Sequence, residues 1–374
     1  MFQSKIIAAD VAVRRDAPLE LAVIVPVLNE AANVATLIAR LEDVLNGIAW
    51  EAIFVDDHSP DGTANALRDY ARHDRRIRIV ERIGRRGLSS AVIEGVLATA
   101  APFIAVIDGD MQHDEGLLPA LFAAVAGGAD IAIGSRYVCG GGTGSWDESR
   151  ASASRFATRA ANAVLPVPVS DPMSGYFAIR RDAFEAALPK LSGSGFKILL
   201  DLIISAPTRL NIVELPYVFR ERTAGASKLD LMVVAEYGQL LLEKTVGRFI
   251  PVRLLMFLAV GMLGLGVHLS VLGSLIAFDT RFAVAQGIAV FSAMTFNFAL
   301  NNIFTYRDRR LRGLRFVTGL LSFYAVCLVG AAANIGIGTW MHDLHRAWWV
   351  AGVAGAVVGA VWNYAASSFV TWRK

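Results

Sequence analysis

Residues 103–112 read Phe103-Ile104-Ala105-Val106-Ile107-Asp108-Gly109-Asp110-Met111-Gln112. Five apolar residues, with β-branched side chains at Ile104, Val106 and Ile107, have the length of a buried strand, and the chain then turns acidic within one residue. The pattern recurs on both sides. Upstream lie Leu21-Ala22-Val23-Ile24-Val25, with helical spacing over 30–46; Ala52-Ile53-Phe54-Val55, with a helix beginning near Asp61; and Ile77-Arg78-Ile79-Val80, with a helix over 88–100. Downstream, a helix near 115–126 leads to Ile131-Ala132-Ile133. Such alternation predicts an α/β fold with a mostly parallel, doubly wound sheet. Ligands of these sheets bind beyond the carboxyl ends of the strands.

The residues at those ends are Pro26-Val27-Leu28-Asn29-Glu30, Asp56-Asp57-His58-Ser59-Pro60-Asp61-Gly62-Thr63, Asp108-Gly109-Asp110-Met111-Gln112 and Gly134-Ser135-Arg136. Acids and one arginine therefore collect along one sheet edge. Asp108 and Asp110 bracket a single residue, with Gln112 two further on. Alternate residues there aim oxygens at one point, which suits Mg²⁺ or Mn²⁺ sharing its remaining positions with a diphosphate and water. Taken alone, the same triplet also suits a capped turn. Asp56 and Asp57 can cap the following helix, but Asp61 is the better cap and leaves Asp57 for a base or ribose. Glu30 also reads as a first-turn acid on a helix dipole. No GxGxxG follows the first strand and no GxxxxGK[ST] occurs, which disfavours a dinucleotide dehydrogenase or a P-loop NTPase. The run Gly140-Gly141-Gly142-Thr143-Gly144 reads as a mobile loop.

Of the 374 residues, 55% are hydrophobic and 18% charged. Residues 1–252 carry a net charge of −4 and residues 253–374 one of +7. That division excludes a wholly soluble protein, a disordered chain and a nucleic-acid binder read from overall basicity. Stretches 254–278, 282–306, 316–341 and 347–372 contain no Lys, Arg, Asp or Glu. Each is long enough as a helix to cross a hydrocarbon core of about 30 Å. Arg248 and Arg253 precede the first stretch; Arg307, Arg309, Arg310, Arg312 and Arg315 follow the second; Arg373 and Lys374 follow the fourth. This places the large domain, the second loop and the C-terminus in the cytoplasm, N-in and C-in, at an inner or plasma membrane. The stretches repeat internally. Phe296-Asn297-Phe298-Ala299 returns as Trp362-Asn363-Tyr364-Ala365, and Thr305-Tyr306-Arg307 as Thr371-Trp372-Arg373, 66 residues later. Asn297, Asn301, Asn302 and Asn363 read as polar glue between helices, with a transport path as the alternative. Ile6-Ile7-Ala8-Ala9, cut short by Asp10, does not read as a signal peptide, so residues 1–18 are expected to be a flexible tail. Cys139 and Cys327 support neither a disulfide framework nor a zinc site.

Val25-Pro26-x-x-Asn29-Glu30, Val55-Asp56-Asp57-x-Ser59-Pro60-Asp61-Gly62-Thr63, Gly87-Leu88-Ser89-Ser90-Ala91, Asp108-x-Asp110-x-Gln112, Gly134-Ser135-Arg136-Tyr137 and Asp171-Pro172-x-Ser174-Gly175 together resemble the family 2 glycosyltransferases of GT-A, Rossmann-like fold. Gly195-Phe196-Lys197-Ile198-Leu199 and Arg222-x-x-Gly225-x-Ser227-Lys228 narrow the resemblance to polyprenyl (dolichyl) phosphate mannose synthases. The tail resembles the GtrA-like four-helix membrane domain. The resemblance implies a GT-A domain over 19–228, an interfacial helix over 229–250 and a transmembrane domain over 251–374. It implies that Pro26, Leu28, Glu30, Val55 and Asp57 hold the nucleotide, and that Asp108, Gly109, Asp110 and Gln112 hold ribose, metal and diphosphate. Arg222 and Lys228 would clamp the donor phosphates, with Arg136 also at the donor. Arg136, Arg150 and Ser154 would grip the acceptor lipid phosphate. Leu28 departs from the frequent aromatic at its position. Asp171 reads as a sugar-hydroxyl or loop-ordering group rather than a base. The implied reaction is metal-dependent, inverting transfer of mannose from GDP-mannose to a polyprenyl phosphate, with Asp110 and the three acceptor residues as the catalytic set. The same chemistry with UDP-glucose or a UDP-aminosugar, a flippase role for the membrane domain, and a non-catalytic scaffold are the alternatives.

Overall fold

The computed structural model describes residues 18–144, 148–193, 195–220, 237–238, 240–241, 244, 251–343, 357–358 and 360–373. Arg222, Lys228, the tail before residue 18, most of 229–250 and the start of the fourth apolar stretch lie outside the described residues, as does the side chain of Arg150. The chain forms two units, Met1–Thr245 and Val246–Lys374.

The first unit is built on a seven-stranded sheet in the order β3-β2-β1-β4-β6-β5-β7. Its elements run β1 (Leu21–Val27), α1 (Ala31–Val44), β2 (Trp50–Asp56), α2 (Thr63–His73), β3 (Ile77–Glu81), α3 (Leu88–Leu97), β4 (Phe103–Val106), a 3₁₀ turn (Glu115–Leu117), α4 (Leu118–Ala126), β5 (Ile131–Ser135), α5 (Glu148–Asn162), β6 (Phe177–Arg180), α6 (Arg181–Ala187), α7 (Ile198–Ser205) and β7 (Ile212–Pro216). Side chains alternate across the central strands. Val23, Val25 and Phe54 face one layer, with Leu37 and Leu41 of α1 and Leu121 of α4. Ile24, Ile53 and Val55 face the other, with Val92 of α3 and Leu202 of α7. Each such fully buried aliphatic side chain contributes about 1.5–3 kcal/mol.

Two strands go beyond the sequence reading. β6 runs antiparallel between β4 and β5, and β7 extends the sheet parallel to β5. Phe-Ala-Ile-Arg is too short a run to signal a strand, and only pairing on both sides makes it one. Because β6 opposes both neighbours, β4 and β5 still point the same way as β1 and β2, and their four carboxyl ends share one edge. The glycine run also differs from its expected role. Gly142 donates to the Tyr217 carbonyl (3.1 Å) and accepts from the Phe219 N–H (2.9 Å). A Cβ on Gly144, at φ +61°, would stand 2.3 Å from the Phe219 carbonyl oxygen. The run is a strap laid against the segment after β7, and close backbone approach is what demands glycine.

The second unit contains α8 (Val252–Ala277), α9 (Phe282–Leu300) and α10 (Leu314–Asp343). Val252–Ala277 and Gly287–Thr305 are long and apolar enough to cross a bilayer. The 66-residue repeat is structural. π-Helical turns end the second and fourth apolar stretches, at Asn301–Thr305 and Ser367–Thr371. Tyr306 and Trp372 stack at 4.1 Å. The Tyr306 hydroxyl meets Ser368 Oγ at 2.7 Å, while Trp372 Nε1 donates to Asn302 Oδ1 at 3.2 Å. Residues 66 apart thus exchange equivalent partners, as around a two-fold axis.

Candidate active site

The shared strand edge carries three non-glycine residues in the left-handed region: Asn29 (φ 62°), His58 (φ 58°) and Met111 (φ 63°), one in each loop after β1, β2 and β4. Such backbone persists where surrounding contacts over-determine it, and it clusters at functional sites. Here side chains supply those contacts. Asp56, fully buried at the end of β2, accepts the Ser59 N–H (3.0 Å) and hydroxyl, and Ser59 Oγ accepts the Asn29 N–H (2.9 Å). Asp61 accepts from the Ala31 and Thr63 N–H groups, both at 3.0 Å, tying the two loops together. Glu30 donates its N–H to Thr63 Oγ1 (3.0 Å), and its Oε2 accepts from Asn33 (2.6 Å). Pro26 pairs with Val55 in the β1–β2 register, and Leu28 is half-buried.

Asp57 is more occupied than its sequence position suggests. Its Oδ2 accepts the Gly87 N–H (2.8 Å), and its Oδ1 stands 2.9 Å from Nε of Arg82, which is fully buried. Arg82 also donates to Ser90 Oγ (2.9 Å) and the Gly87 carbonyl (3.3 Å). Burial holds the Asp57 carboxyl above its usual range, against the opposing pull of the Gly87 bond and Arg82. Nothing in the spacing around residue 82 distinguishes this arginine.

The Asp108 side chain is one-third exposed and Asp110 is buried. Asp110 Oδ1 accepts the Gln112 N–H (3.2 Å), and Gln112 Nε2 donates to the Arg220 carbonyl (3.1 Å). Behind them lies His113, stacked on Tyr176 with ring centroids 5.0 Å apart. Its Nδ1 accepts the Asp108 N–H (3.3 Å), which assigns the ring proton to Nε2. Burial, aided by Arg136, pushes the imidazole pKa down to about 4 against Asp110 and Asp171, so His113 is a neutral support. A Cβ on Gly175 would reach within 3.2 Å of Asp108 Oδ2, so glycine keeps the space beside that carboxylate open. Among the described residues no three His, Cys, Asp or Glu side chains converge on a point. The donor set at this edge is two carboxylates and a carboxamide, the oxygen chemistry that a hard cation takes when a diphosphate and water supply the rest of its shell.

At the end of β5, Arg136 is held by Asp171 through a two-pronged pair: Nε to Oδ2 at 2.7 Å and Nη2 to Oδ1 at 2.8 Å. The Arg136 N–H adds a third bond to Oδ2 (3.1 Å). Asp171 has no exposure, and its own N–H goes to Glu214. It therefore orders Arg136, in line with the loop-ordering reading of the sequence. Next in chain, Tyr137 donates its hydroxyl to Ser154 Oγ (2.7 Å). The structure thus links Arg136 to Ser154 on α5, where Arg150 lies one turn earlier. Burial, together with nearby Arg136, lowers the pKa of Lys197, which also feels Asp171 and Asp108 and so joins this charged group. Lys197 belongs to the Gly195-Phe196-Lys197-Ile198-Leu199 motif already marked in the sequence, whereas spacing did not single out His113, whose role rests on long-range packing.

Residues 22–188 match the family model described as glycosyl transferase family 2, and residues 256–372 match the one described as GtrA/DPMS, transmembrane domain. A dolichol-phosphate mannosyltransferase of Pyrococcus furiosus is 33% identical over 95% of this chain and 99% of its own length. One of Saccharomyces cerevisiae is 34% identical over 64% of this chain and 92% of its own. A polyprenol monophosphomannose synthase of Mycolicibacterium smegmatis is 32% identical over 58% of this chain and 86% of its own.

Proposed function

Because the chain belongs to the family of dolichol- and polyprenol-phosphate mannosyltransferases, and itself joins a family 2 glycosyltransferase unit to a GtrA-type transmembrane unit, we propose that it transfers mannose from GDP-mannose to a polyprenyl phosphate at the cytoplasmic face of the membrane, with inversion. The observation that carries this reading is the division of one strand edge into two chemistries. Acids close the ends of β2 and β4, at Asp57 and at Asp108 and Asp110, where a nucleotide sugar needs them. A cation held rigidly by Asp171 closes the end of β5, where a phosphate acceptor needs one.

Asp57 suits the adjacent N–H donors of a guanine edge, with Pro26, Leu28, Glu30 and Val55 around the nucleoside. Asp108, Asp110 and Gln112 would hold Mg²⁺ or Mn²⁺, and the ion supplies positive charge to the leaving diphosphate. Gly109 lets the backbone sit close to the ribose. Arg222 and Lys228 are assigned to the donor phosphates. Arg136, Arg150 and Ser154 orient the acceptor phosphate so that one of its oxygens faces the anomeric carbon. A bond forms from that oxygen to the carbon as the bond to the diphosphate breaks. The acceptor oxygen is already anionic near neutral pH, so no proton has to be removed. Asp171 accordingly orients Arg136 rather than acting as a base, and catalysis comes from positioning and charge. The arginines of the loop after the second apolar stretch and of the C-terminus set the cytoplasmic orientation.

A donor panel tests the assignment. Purified full-length chain with polyprenyl phosphate and Mg²⁺ or Mn²⁺ should use GDP-mannose and not UDP-glucose or UDP-N-acetylglucosamine. Asp110→Ala should lower transfer by about a thousandfold while leaving thermal unfolding intact. Preference for a UDP-sugar would replace the donor, and full activity of the variant would sink the metal assignment.

A further inference from the structure

Arg220 follows β7 and binds a turn more than a hundred residues away in sequence. Its N–H donates to the Gln112 carbonyl (2.8 Å), and its own carbonyl accepts from Gln112 Nε2 (3.1 Å). Its guanidinium reaches past Gln112 to Glu115 Oε2 (2.7 Å), the His113 carbonyl (3.4 Å) and the Asp114 carboxylate. One residue thus contacts every member of the turn 112–115 that leads out of the Asp108–Asp110 segment. Glu115 is almost fully buried, and its second oxygen has no hydrogen-bond partner. Arg220 is the cation paired with it among the described residues. The guanidinium itself is well exposed, so it is not a core filler.

Resting on the reading of Asp108, Asp110 and Gln112 as the metal–diphosphate site, we propose that Arg220 is a positioning residue for that site: it fixes the 112–115 turn so that Gln112 and Asp110 present their oxygens to the ion-bound diphosphate. The carboxamide orientation follows directly, since binding Nε2 to the Arg220 carbonyl commits Oε1 to the opposite side. The charge pattern agrees. Asp114 and Glu115 stand within five residues of Asp110 and would compete for a divalent cation; the guanidinium engages both carboxylates.

The test uses full-length chain and reads Mn²⁺ binding from the paramagnetic resonance signal of free Mn²⁺ in the presence of GDP. Loss of an outer partner of a metal site costs roughly 10–100-fold in affinity. Arg220→Met should therefore weaken Mn²⁺ binding about tenfold and raise the donor KM, leaving the polyprenyl phosphate KM within about twofold. Arg220→Lys, which keeps the charge without the fork, should fall between. Because Arg220→Met strands the Glu115 carboxylate, the double variant R220M/E115Q is essential. It should regain the wild-type unfolding temperature while Mn²⁺ affinity stays low. Recovery of affinity along with stability, or an equal rise in the acceptor KM, would overturn the proposal. If wild-type protein binds Mn²⁺ with UDP rather than GDP, the donor-base reading fails, and the same variants are judged with UDP.

Discussion

The two units solve the same problem, burying polar groups, in opposite ways. In the catalytic unit the most buried cations are set against particular carboxylates, in pairings that have no repeated counterpart: Arg136 with Asp171, Arg82 with Asp57, and Lys244 with Asp201 at 2.6 Å. In the membrane unit the buried polar side chains among the described residues are neutral, and several of the contacts have a counterpart 66 residues on. Asn297 packs over Gly264 and Asn363 over Gly330, in both cases so closely that a Cβ on the glycine would lie 2.0 Å from the asparagine oxygen. Phe257 meets Tyr364 at 5.8 Å, as Phe323 meets Phe298 at 5.7 Å. A reaction centre needs unlike groups at one place, so its pairs have no substitutes. A duplicated scaffold distributes its packing over equivalent contacts, and loss of one leaves the other intact.

The largest expected effect comes from breaking the most buried of the single pairs. Asp171→Asn leaves the Arg136 guanidinium buried without a counter-charge, a change that costs about 3–5 kcal/mol. Unfolding of the purified chain, followed by intrinsic fluorescence, should begin about 10 °C lower. An unchanged unfolding temperature would show that the pairing has a substitute after all, and the contrast between the units would fail.

Arg82→Met probes the second single pair and should do less, about 1.5–3 kcal/mol in GDP affinity, the worth of hydrogen bonds to a charged group. The pH dependence gives the sign. Burial already holds the Asp57 carboxyl above 3.8, with Arg82 pulling it back. Removing Arg82 raises it further, while like-charged Asp56 and cationic Arg86 remain. If the guanine edge needs the carboxylate, GDP affinity falls as pH drops through that raised value, and the fall should start at higher pH in the variant. Titration of GDP binding from pH 8 downwards checks this; superimposable curves would remove Arg82 from the nucleotide site.

The contrast also explains what the sequence could reveal. The strand ends were legible because apolar runs stop abruptly at Asp56, Asp108 and Arg136, and local composition records such stops. The membrane repeat was legible because its residues keep a fixed spacing. Arg82, His113 and Arg220 were not, since each acts through a partner set by sheet order and loop packing. Gln112 and Arg220 are joined across 108 positions. The strand β6 was hidden for the same reason: nothing local marks Phe177–Arg180 until β4 and β5 flank it.

The smallest expected effect belongs to the duplicated contacts, and it tests the contrast most directly. Gly264→Ala and Gly330→Ala each force a methyl group against an asparagine oxygen, and overpacking of this kind costs about 1–3 kcal/mol. Equivalence by repeat predicts similar losses of thermal stability for the two variants. The sites belong to different helix pairs, so the double variant should lose about the sum. GDP binding should be unaffected in all three, because the glycines lie outside the catalytic unit. A large loss from one glycine and none from the other would mean that the halves have diverged in use. In that case the asparagine of the sensitive half would be the place to look for a task beyond packing, since both Asn297 Oδ1 and Asn363 Oδ1 are buried without a hydrogen-bond donor.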